Sequence, residues 1–402
     1  MALYGLICSY IDAVANPYRP GAGRRPPLLA GRQQILVAFD VLRRRAEEFG
    51  EGDRSWILSG LRGVGKTVLL NELLEQVSAR GWISAKVEAS ASSYLSIALS
   101  QSLLRGLRTA TGRYPEHRLR RLLGVFKAFS VKVDPSGNVS LGVDVQPIAG
   151  VADSGRLSED LAGLFETLGE TARDLGTGVI VLIDELQEAT SADMAALNAA
   201  VHLIGQAEVP LPVAVVGAGL PSLPAQLAEA TSYAERLYDY RPIGLLDEAA
   251  ARDALTVPSR ERGVEWGEDA LGPAIAAAGG YPYFIQAIGK HVWDVAVRSP
   301  ISLDDVELGL AEARREVDDG LYRSRWERAT PAQRVLLRAL ATLGGGGPAP
   351  VGEIARSLGK RRTSDISVAR DEVIDKGLAY APEKGLLAFT VPGMHDFVLR
   401  QP

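Results

Sequence analysis

The feature of this 402-residue sequence that most restricts its fold is a glycine-rich octapeptide, Gly60-Leu-Arg-Gly-Val-Gly-Lys-Thr67. It matches the phosphate-binding pattern G-x-x-x-x-G-K-[ST] in full. Its glycines let backbone N–H groups surround a β-phosphate, and the next helix directs its positive end at the same place. Lys66 would add charge between the β- and γ-phosphates, and the Thr67 hydroxyl would ligate Mg²⁺. An apolar strand at 55–59 and a helical pattern at 68–80 flank this P-loop and favour a nucleotide site over a turn that only caps a helix.

An acidic pair lies roughly 110 residues after the P-loop, where an apolar run at 179–183 ends in Asp184 and Glu185. A buried strand would carry Asp184 to its carboxyl end, where the carboxylate can hold the water shell of Mg²⁺. Glu185 would polarise the water that attacks the γ-phosphate. The sequence contains no N-K-x-D motif of the kind that reads guanine in GTPases. The pair therefore favours ATP hydrolysis.

Strands and helices alternate in the first half of the chain, which predicts a parallel sheet with helices on both faces. The predicted strands are 55–59, 82–88, 178–183 and 211–216, and the predicted helices are 33–48, 68–80, 94–109, 157–174 and 191–206. After residue 241 the strands stop, and an all-helical domain is predicted from helices at 247–255, 267–278, 283–298 and 303–325. Three more helices (331–343, 351–358 and 364–376) and a hairpin within 378–391 have the order of a winged helix.

The predicted domains are an N-terminal arm at 1–31, an α/β P-loop domain at 32–243, a helical lid at 244–328 and a winged helix at 329–402. Residues 126–145 alternate around the turn sequence Asp134-Pro-Ser-Gly-Asn138 and predict a β-hairpin inserted in the α/β domain. It holds two lysines against two aspartates, so we expect a decorative or oligomer-packing element. Contact with DNA or a partner is the alternative.

The composition of the chain indicates the cellular compartment in which we expect it to fold. Cys8 is the only cysteine, which excludes a disulfide framework. Residues 1–15 lack a basic segment and contain Asp12, so they are a poor signal peptide. No later run reaches the roughly 18 apolar residues of a membrane helix. The four histidines are scattered without ligand spacing, so we expect no metal beyond nucleotide-bound Mg²⁺. The sequence thus predicts a cytoplasmic protein.

At this point the sequence resembles the AAA+/STAND ATPases, especially the branch of archaeal-type ATPases and origin-recognition initiators. Leu29-Ala-Gly31-Arg32 is similar to the adenine-side "GR" motif, and Asp184-Glu-Leu-Gln187 to a D-E-x-Q sequence of archaeal-type ATPases. Gly280-Tyr-Pro282 resembles the G-x-P motif of STAND proteins, whose proline packs near adenine. The resemblance runs from about residue 16 to the C-terminus. It implies an ATP- and Mg²⁺-binding protein that ends in a winged helix.

Motif and resemblance together give a set of candidate site residues. Those predicted to contact nucleotide are Gly31, Arg32, Gly60, Leu61, Arg62, Gly63, Val64, Gly65, Lys66, Thr67, Val68, Asp184 and Pro282. Those predicted to act in catalysis are Lys66, Glu185 and Arg236, and Thr67 and Asp184 are the predicted Mg²⁺ ligands. Arg236 is placed like an arginine finger that completes a neighbour's site, with Arg241 as a competitor for that role.

The sequence departs from the family pattern at two places. The strand at 212–216 should end in a polar sensor of the γ-phosphate, but it runs into Gly217-Ala-Gly-Leu-Pro221, with Ser222 the nearest hydroxyl. The G-x-P motif also stands where other AAA+ proteins carry a sensor-2 arginine. Both departures favour a slow nucleotide switch over a powerful motor.

The C-terminal module carries the DNA-binding prediction. Residues 329–402 hold ten Lys/Arg against seven Asp/Glu, a net of +3 on a chain whose overall net charge is −5. In a winged helix the third helix can enter the major groove while the wing touches phosphates. The predicted DNA contacts are Lys360, Arg361, Arg362, Ser364, Ser367, Arg370 and Lys384, with Val368, Val373 and Ile374 expected to point inward. Four acidic residues on the same helix keep a protein-docking role open.

Three functions remain at this stage. The first is a nucleotide switch in which ATP, bound by the α/β domain and the lid, positions the winged helix on double-stranded DNA, with ATP-dependent oligomers as a further expectation. The second keeps the ATPase and makes the winged helix a docking module for a protein partner. The third is a scaffold that holds ATP without meaningful hydrolysis.

Overall fold

The computed structural model describes residues 11, 15–91, 94–110, 120, 122–125, 129, 154 and 156–402. The chain divides into two compact units, and each is assembled from separate stretches. The first, here called the sheet unit, comprises Gln34–Gly60 and Lys66–Ile243. The second, called the helical unit, comprises Met1–Gln33, Leu61–Gly65 and Gly244–Pro402. The chain therefore passes from one unit to the other and back within the P-loop.

The sheet unit contains a parallel sheet in the order β2-β3-β4-β1-β5. Its strands are β1 (Ser55–Ser59), β2 (Ile83–Glu88), β3 (Val179–Asp184), β4 (Val213–Gly219) and β5 (Tyr238–Pro242). The described helices of this unit are α1 (Gln33–Phe49), α2 (Lys66–Ser78), α3 (Leu95–Ala110), α4 (Leu157–Asp174), α5 (Ser191–Gly205), α6 (Leu223–Ala230) and α7 (Ala234–Leu237). β3 and β4 are buried along their whole length, as continuous apolar runs predict.

β5 is the strand that sequence reasoning missed. It pairs in parallel with β1, from Ser55 opposite Tyr238 to Ser59 opposite Pro242. It is an edge strand, and only Tyr238 on it is buried, so it lacks the apolar run that identified the inner strands. No strand is thus predicted from the sequence at 238–242, although the strand-containing region is predicted to end at residue 241, close to where β5 ends.

The helical unit begins with α8 (Glu248–Arg260), α9 (Glu268–Ala278), α10 (Pro282–Val295) and α11 (Leu303–Glu316). A side-chain capping box between Ser302 and Asp305 starts α11. The predicted single helix at 303–325 is interrupted, since a π-helical segment at Val317–Tyr322 separates α11 from α12 (Arg323–Glu327). Such π segments are frequently found at functional sites.

The winged helix follows in the same unit. Its elements are α13 (Pro331–Gly344), β6 (Ala349–Pro350), α14 (Val351–Ser357), α15 (Ser367–Asp375), β7 (Ala379–Tyr380), β8 (Leu386–Phe389) and a terminal helix α16 (Met394–Arg400). The strands form an antiparallel sheet in the order β6-β8-β7. The fold class is thus the predicted one, an α/β P-loop domain with a helical lid and a C-terminal winged helix. α16 is an addition that the sequence reasoning did not contain.

Two further predictions concern the hairpin at 126–145 and membrane-spanning helices. The hairpin predicted at 126–145 lies outside the described residues, apart from the buried Phe129. Among the described helices, none combines the length and the apolar character that crossing a bilayer requires.

Candidate functional site

The P-loop follows β1 in the chain and runs into the first turn of α2. Gly60 N–H donates to the carbonyl of Gly219 at 3.0 Å, which fixes the loop to the end of β4. Gly63 and Gly65 have φ angles of +80° and +97°, a left-handed region that side chains disfavour. Lys66 is only 5% exposed, and its Nζ donates to the Gly60 carbonyl at 2.7 Å. The ammonium is thereby held inside the loop.

The acidic pair ends β3. Asp184 is 5% exposed, and its Oδ1 accepts the backbone N–H of Glu185 at 3.0 Å. Glu185 has φ 48° and ψ 38°, which makes it the only non-glycine residue with positive φ in the described part of the chain. Such strained backbone clusters at functional sites, because the surrounding structure must enforce it. The strain turns the chain into the short 3₁₀ helix Leu186–Glu188.

Sheet topology brings these two motifs to one edge. β4 lies between β1 and β3, and all three strands are parallel, so their carboxyl ends share that edge. Two steps of about 4.8 Å between strands separate the end of β1 from the end of β3 by about 10 Å. Lys66, Thr67 and Val68 form the first turn of α2. A hydroxyl from Thr67 and a carboxylate from Asp184 are hard oxygen donors of the type Mg²⁺ prefers, so these residues would hold the ion.

Gln187 is a site residue for which sequence reasoning gave no role. Its Nε2 donates to Glu185 Oε2 at 2.5 Å, and its Oε1 accepts the N–H of Leu220 at 3.1 Å. Leu220 directly follows β4, the strand end where a polar sensor was expected. The amide of Gln187 thus links the acidic pair to that strand end. The D-E-x-Q sequence was the available signal.

The tip of the P-loop is bonded within the helical unit. Arg62 N–H donates to the carbonyl of Thr390 at 3.3 Å, and the Arg62 carbonyl accepts the phenol of Tyr281 at 2.5 Å. Tyr281 is 2% exposed, and its burial raises the pKa of the phenol. A Cβ on Gly63 would stand 2.0 Å from the Tyr281 hydroxyl oxygen, so only glycine fits there. The middle residue of the G-x-P motif, Tyr281, thus contacts the loop directly.

The predicted "GR" residues are placed next to the P-loop. The Arg32 guanidinium donates to the carbonyls of Val64 at 3.0 Å and Gly244 at 2.8 Å. Burial lowers the pKa of Arg32. Gly31 has φ +67°, and a Cβ there would be 3.0 Å from the side chains of Ala250 and Leu246. These contacts fix the loop backbone, and the adenine contact of both residues stays a prediction.

An aromatic series continues from Tyr281 through the helical unit. Pro282 is the first residue of α10, and Tyr281 precedes it as the N-cap. Ring centroids are 4.5 Å apart for Tyr281 and Phe284, 6.4 Å for Phe284 and Tyr322, and 5.5 Å for Tyr322 and Phe397. Tyr322 ends the π-helical segment and Phe397 lies on α16. Packed rings thus connect the P-loop tip to the last helix of the winged-helix domain.

The two arginine-finger candidates differ in their surroundings. Arg236 is exposed on α7, and its side chain makes no hydrogen bond or ion pair with the described residues. Arg241 stacks 3.9 Å above the Trp56 ring and bonds Asp239 at 2.6 Å. Arg241 is therefore engaged within its own unit, which leaves Arg236 as the candidate to reach a neighbouring protomer.

The predicted DNA-contact residues lie at two places on the winged helix. Lys360, Arg361 and Arg362 are exposed in the segment before α15, and Lys384 is exposed between β7 and β8.

The described residues contain no cluster of three or more His, Cys, Asp or Glu side chains with the geometry to hold a metal.

The third helix of the winged helix, α15, differs from the prediction in its start and in the direction of Val368. It begins at Ser367, because residues Thr363–Ile366 form a 3₁₀ turn, so Ser364 lies outside the helix. Val368 was expected to point inward but is 70% exposed, since the shift from 3₁₀ to α geometry rotates the helix face. Arg370 bonds Asp371 at 2.8 Å, which offsets part of its charge. Arg370, a predicted DNA contact, is thus paired with one of the acidic residues that keep the protein-docking alternative open.

Two known protein families match parts of this sequence. The family described as AAA ATPase domain matches residues 28–216, and a domain of unknown function matches residues 319–398. No curated protein matches the sequence.

Solved structures share the fold at low sequence identity. A Walker-type ATPase of Pyrococcus abyssi is 16% identical with a TM-score of 0.58, over 95% of this chain and 98% of that chain. The ORC2 protein of Aeropyrum pernix, solved in ADPNP–ADP complexes, is 14% identical with a TM-score of 0.54, over 94% and 95%. Both alignments extend through the winged helix as well as the P-loop domain.

Proposed function

We propose that this protein, whose residues 28–216 match the AAA ATPase domain family, is a P-loop ATPase whose nucleotide state sets the position of the winged-helix domain and thereby controls binding of double-stranded DNA. ATP with Mg²⁺ is the proposed ligand and slow hydrolysis the proposed reset. The proposal rests mainly on one observation, the backbone of Arg62. This residue lies inside the P-loop and is hydrogen-bonded on one side to Tyr281 and on the other to Thr390.

Those two bonds make the P-loop tip sensitive to the domains that follow it. A phosphate in the loop takes its hydrogen bonds from backbone N–H groups, which requires a particular loop conformation. Arg62 N–H donates to Thr390, directly after β8 of the winged helix. A change of loop conformation on nucleotide binding therefore alters a contact that the winged helix also uses, which couples the two in free energy.

The aromatic series offers a second route for the same coupling. Packed rings have discrete arrangements and do not deform smoothly, so a shift of Tyr281 is passed to Phe284 and Tyr322. Tyr322 also donates to the carbonyl of Pro392 at 2.7 Å. The π-helical segment that contains Tyr322 is the element we expect to rearrange.

The chemistry assigned to the site follows from the edge of the sheet. Lys66 would neutralise the phosphates, and Thr67 and Asp184 would hold Mg²⁺, which supplies charge neutralisation at the γ-phosphate. Glu185 would accept a proton from the attacking water. The water oxygen bonds the γ-phosphorus while the bond to the bridging oxygen breaks, and ADP and phosphate leave. Arg236 of a neighbouring copy is the proposed finger.

Exposed basic residues support DNA as the ligand of the winged helix. Lys360, Arg361 and Arg362 form a solvent-exposed basic segment, and Lys384 adds a charge at the wing. The domain's net charge of +3 stands against −8 for the remainder of the chain. Positive loops beside a recognition helix suit phosphate contacts that orient the helix in a groove.

A protein partner is the second candidate, and one observation favours it. Val368 is 70% exposed on α15, beside the acidic residues Asp365 and Asp371. An exposed apolar side chain with acidic residues three positions before and after it suits a protein surface better than a phosphate backbone.

Duplex DNA binding by the full-length protein, measured over a salt series, tests the proposal. Binding is compared without nucleotide, with ADP and with a non-hydrolysable ATP analogue. We expect affinity to rise with the analogue and to fall with salt, because phosphate contacts release counterions. Replacing Lys360, Arg361 and Arg362 by alanine should make the slope of log K against log[salt] less negative by about 3, because each lost phosphate contact contributes about 0.9.

The matched control replaces Arg260, Arg262 and Arg298, which are exposed in the lid, and removes the same charge. Equal loss of binding in both triple variants would mean that only net charge matters, which contradicts a specific interface. No binding in any nucleotide state would reject DNA and favour the protein partner.

A further inference from the structure

The side-chain amide of Gln187 spans the gap between the acidic pair and the end of β4. Its two ends bond groups of opposite character, a carboxylate oxygen of Glu185 and the backbone N–H of Leu220. Only one orientation of the amide satisfies both, because the reverse would set the oxygen against the carboxylate and the NH₂ against an N–H. The two contacts therefore hold the amide in a single direction, with its donor toward Glu185.

Glycines in β4 make room for this arrangement. A Cβ at position 219 would lie 2.5 Å from the Gln187 Oε1. A Cβ at position 217 would lie 2.7 Å from the side chain of Leu186. The 3₁₀ turn that follows β3 thus packs onto the end of β4, and any side chain at Gly219 would displace the amide. The run of small residues that lacked a polar sensor is the surface on which Gln187 rests.

We propose that Gln187 is the positioning residue for Glu185, and that it anchors the carboxylate to β4 in place of a polar side chain on that strand. Glu185 stands on strained backbone with φ 48°, so its side chain needs outside contacts to hold one direction. The amide donates to one carboxylate oxygen, Oε2, and so fixes the direction of the Glu185 side chain. This inference rests on the proposed role of Glu185 as proton acceptor.

A structural role is the competing explanation, since Gln187 could serve only to tie the turn to β4. The two roles use different ends of the amide, which makes them separable. Gln187→Glu keeps an oxygen for the Leu220 N–H but loses the donor to Glu185. Gln187→Ala loses both contacts.

The experiment compares the two variants with wild type in three measurements: steady-state kcat, the dissociation constant of a non-hydrolysable ATP analogue, and Tm. For Gln187→Glu we expect kcat to fall about tenfold or more, typical of losing a group that orients a general base. Analogue affinity should stay within about twofold and Tm close to wild type, because the anchor and the phosphate contacts remain. Glu188→Gln is the control, since Gln187 Nε2 also lies 3.3 Å from Glu188 Oε1.

A double-mutant cycle with Glu185→Ala completes the test. If Gln187 acts through Glu185, adding Gln187→Glu to Glu185→Ala should lower kcat no further. An additional loss in that background, a wild-type kcat for Gln187→Glu, or an equal loss for Glu188→Gln would each overturn the inference. If Glu185→Ala itself leaves kcat unchanged, the proton-acceptor role of Glu185 fails first, which distinguishes the two failures.

Discussion

The phenol of Tyr281, at the N-cap of α10, donates a hydrogen bond of 2.5 Å to the backbone carbonyl of Arg62 within the P-loop. Both residues belong to the helical unit, and Tyr281 is almost entirely buried there. Arg62 also donates its backbone N–H to the carbonyl of Thr390. The loop that we expect to bind phosphate is thus hydrogen-bonded directly to the domain that we expect to bind DNA.

Tyr281→Phe removes this hydroxyl and nothing else. We expect the free energy of unfolding to fall by about 0.5–1.5 kcal/mol, the usual net contribution of one hydrogen bond, because the variant removes the phenol that donates to the partly buried Arg62 carbonyl. More specifically, the difference in DNA affinity between the ADP and analogue states should shrink, while salt dependence in each state stays the same. Tyr283→Phe, which alters a less buried phenol on the same helix, is the control. An unchanged nucleotide effect in Tyr281→Phe would contradict the coupling.

Lys66→Ala and Glu185→Gln separate binding from turnover. The first removes the buried ammonium, so ATP binding should be lost. The second keeps the shape of the side chain but not its basicity, so ATP should bind while hydrolysis slows about a hundredfold or more. Isothermal titration with ATP and a phosphate-release assay measure the two effects. Equal ATP affinity in wild type and Lys66→Ala would rule out the assigned phosphate site.

Arg32→Lys tests the link between the "GR" residues and the loop. A lysine carries one point charge and cannot reach the carbonyls of both Val64 and Gly244 in the geometry of a guanidinium. We expect a loss of about 1.5–3 kcal/mol in the free energy of unfolding, the range for a hydrogen bond to a charged group. Urea denaturation measures it, with exposed Arg361→Lys as the neutral comparison. A change below about 0.5 kcal/mol would show that the buried contacts are dispensable.

Arg236→Ala should slow hydrolysis without weakening ATP binding, if this exposed arginine completes a neighbour's site. Mixing Arg236→Ala with Glu185→Gln supplies one subunit with an intact site and another with an intact finger. Turnover should then exceed that of either variant alone. Arg260→Ala, another exposed arginine, should be unaffected. Mixtures no more active than the average of their parts would count against a finger acting between copies.

Alkaline pH should weaken the helical unit. Burial raises the pKa of Tyr18, Tyr281 and Tyr322 above the ordinary value of about 10. A raised pKa in the folded state means that the contributed stability is complete below about pH 10 and is lost as the pH rises further. The free energy of unfolding should fall above that pH by up to about 1.4 kcal/mol per unit for each such phenol. Tyr281→Phe should make this slope shallower, whereas Tyr94→Phe at an exposed position should not.

Much of the α/β architecture was predictable because its signals are local. β1 was predicted at its observed bounds, and β3 was placed within one residue, since a continuous apolar run bounded by polar residues has few other solutions. The winged helix was predictable from the order of its elements. β5 was not, because its alternate polar residues conceal an edge strand whose partner, β1, is remote in sequence.

The candidate site likewise contains residues that local motifs predicted and residues that they did not. The P-loop and the acidic pair are contiguous motifs, so the chemistry of Lys66, Thr67, Asp184 and Glu185 could be assigned from the residues. Gln187 could not, because its role depends on a backbone N–H contributed by Leu220 in another strand. The direction of Val368 was predicted wrongly because helical phase after a 3₁₀ turn is set by packing.

The sequence by itself determined that this chain carries a phosphate loop, a strand ending in two carboxylates, and a basic C-terminal domain, because each is specified by neighbouring residues and their spacing. The tertiary structure decided which groups these motifs contact. It placed Gln187 against Glu185, Arg32 against Val64, and both Tyr281 and Thr390 against Arg62. Such contacts join residues far apart in the chain, and their geometry follows from the packing of whole elements, which no local pattern encodes.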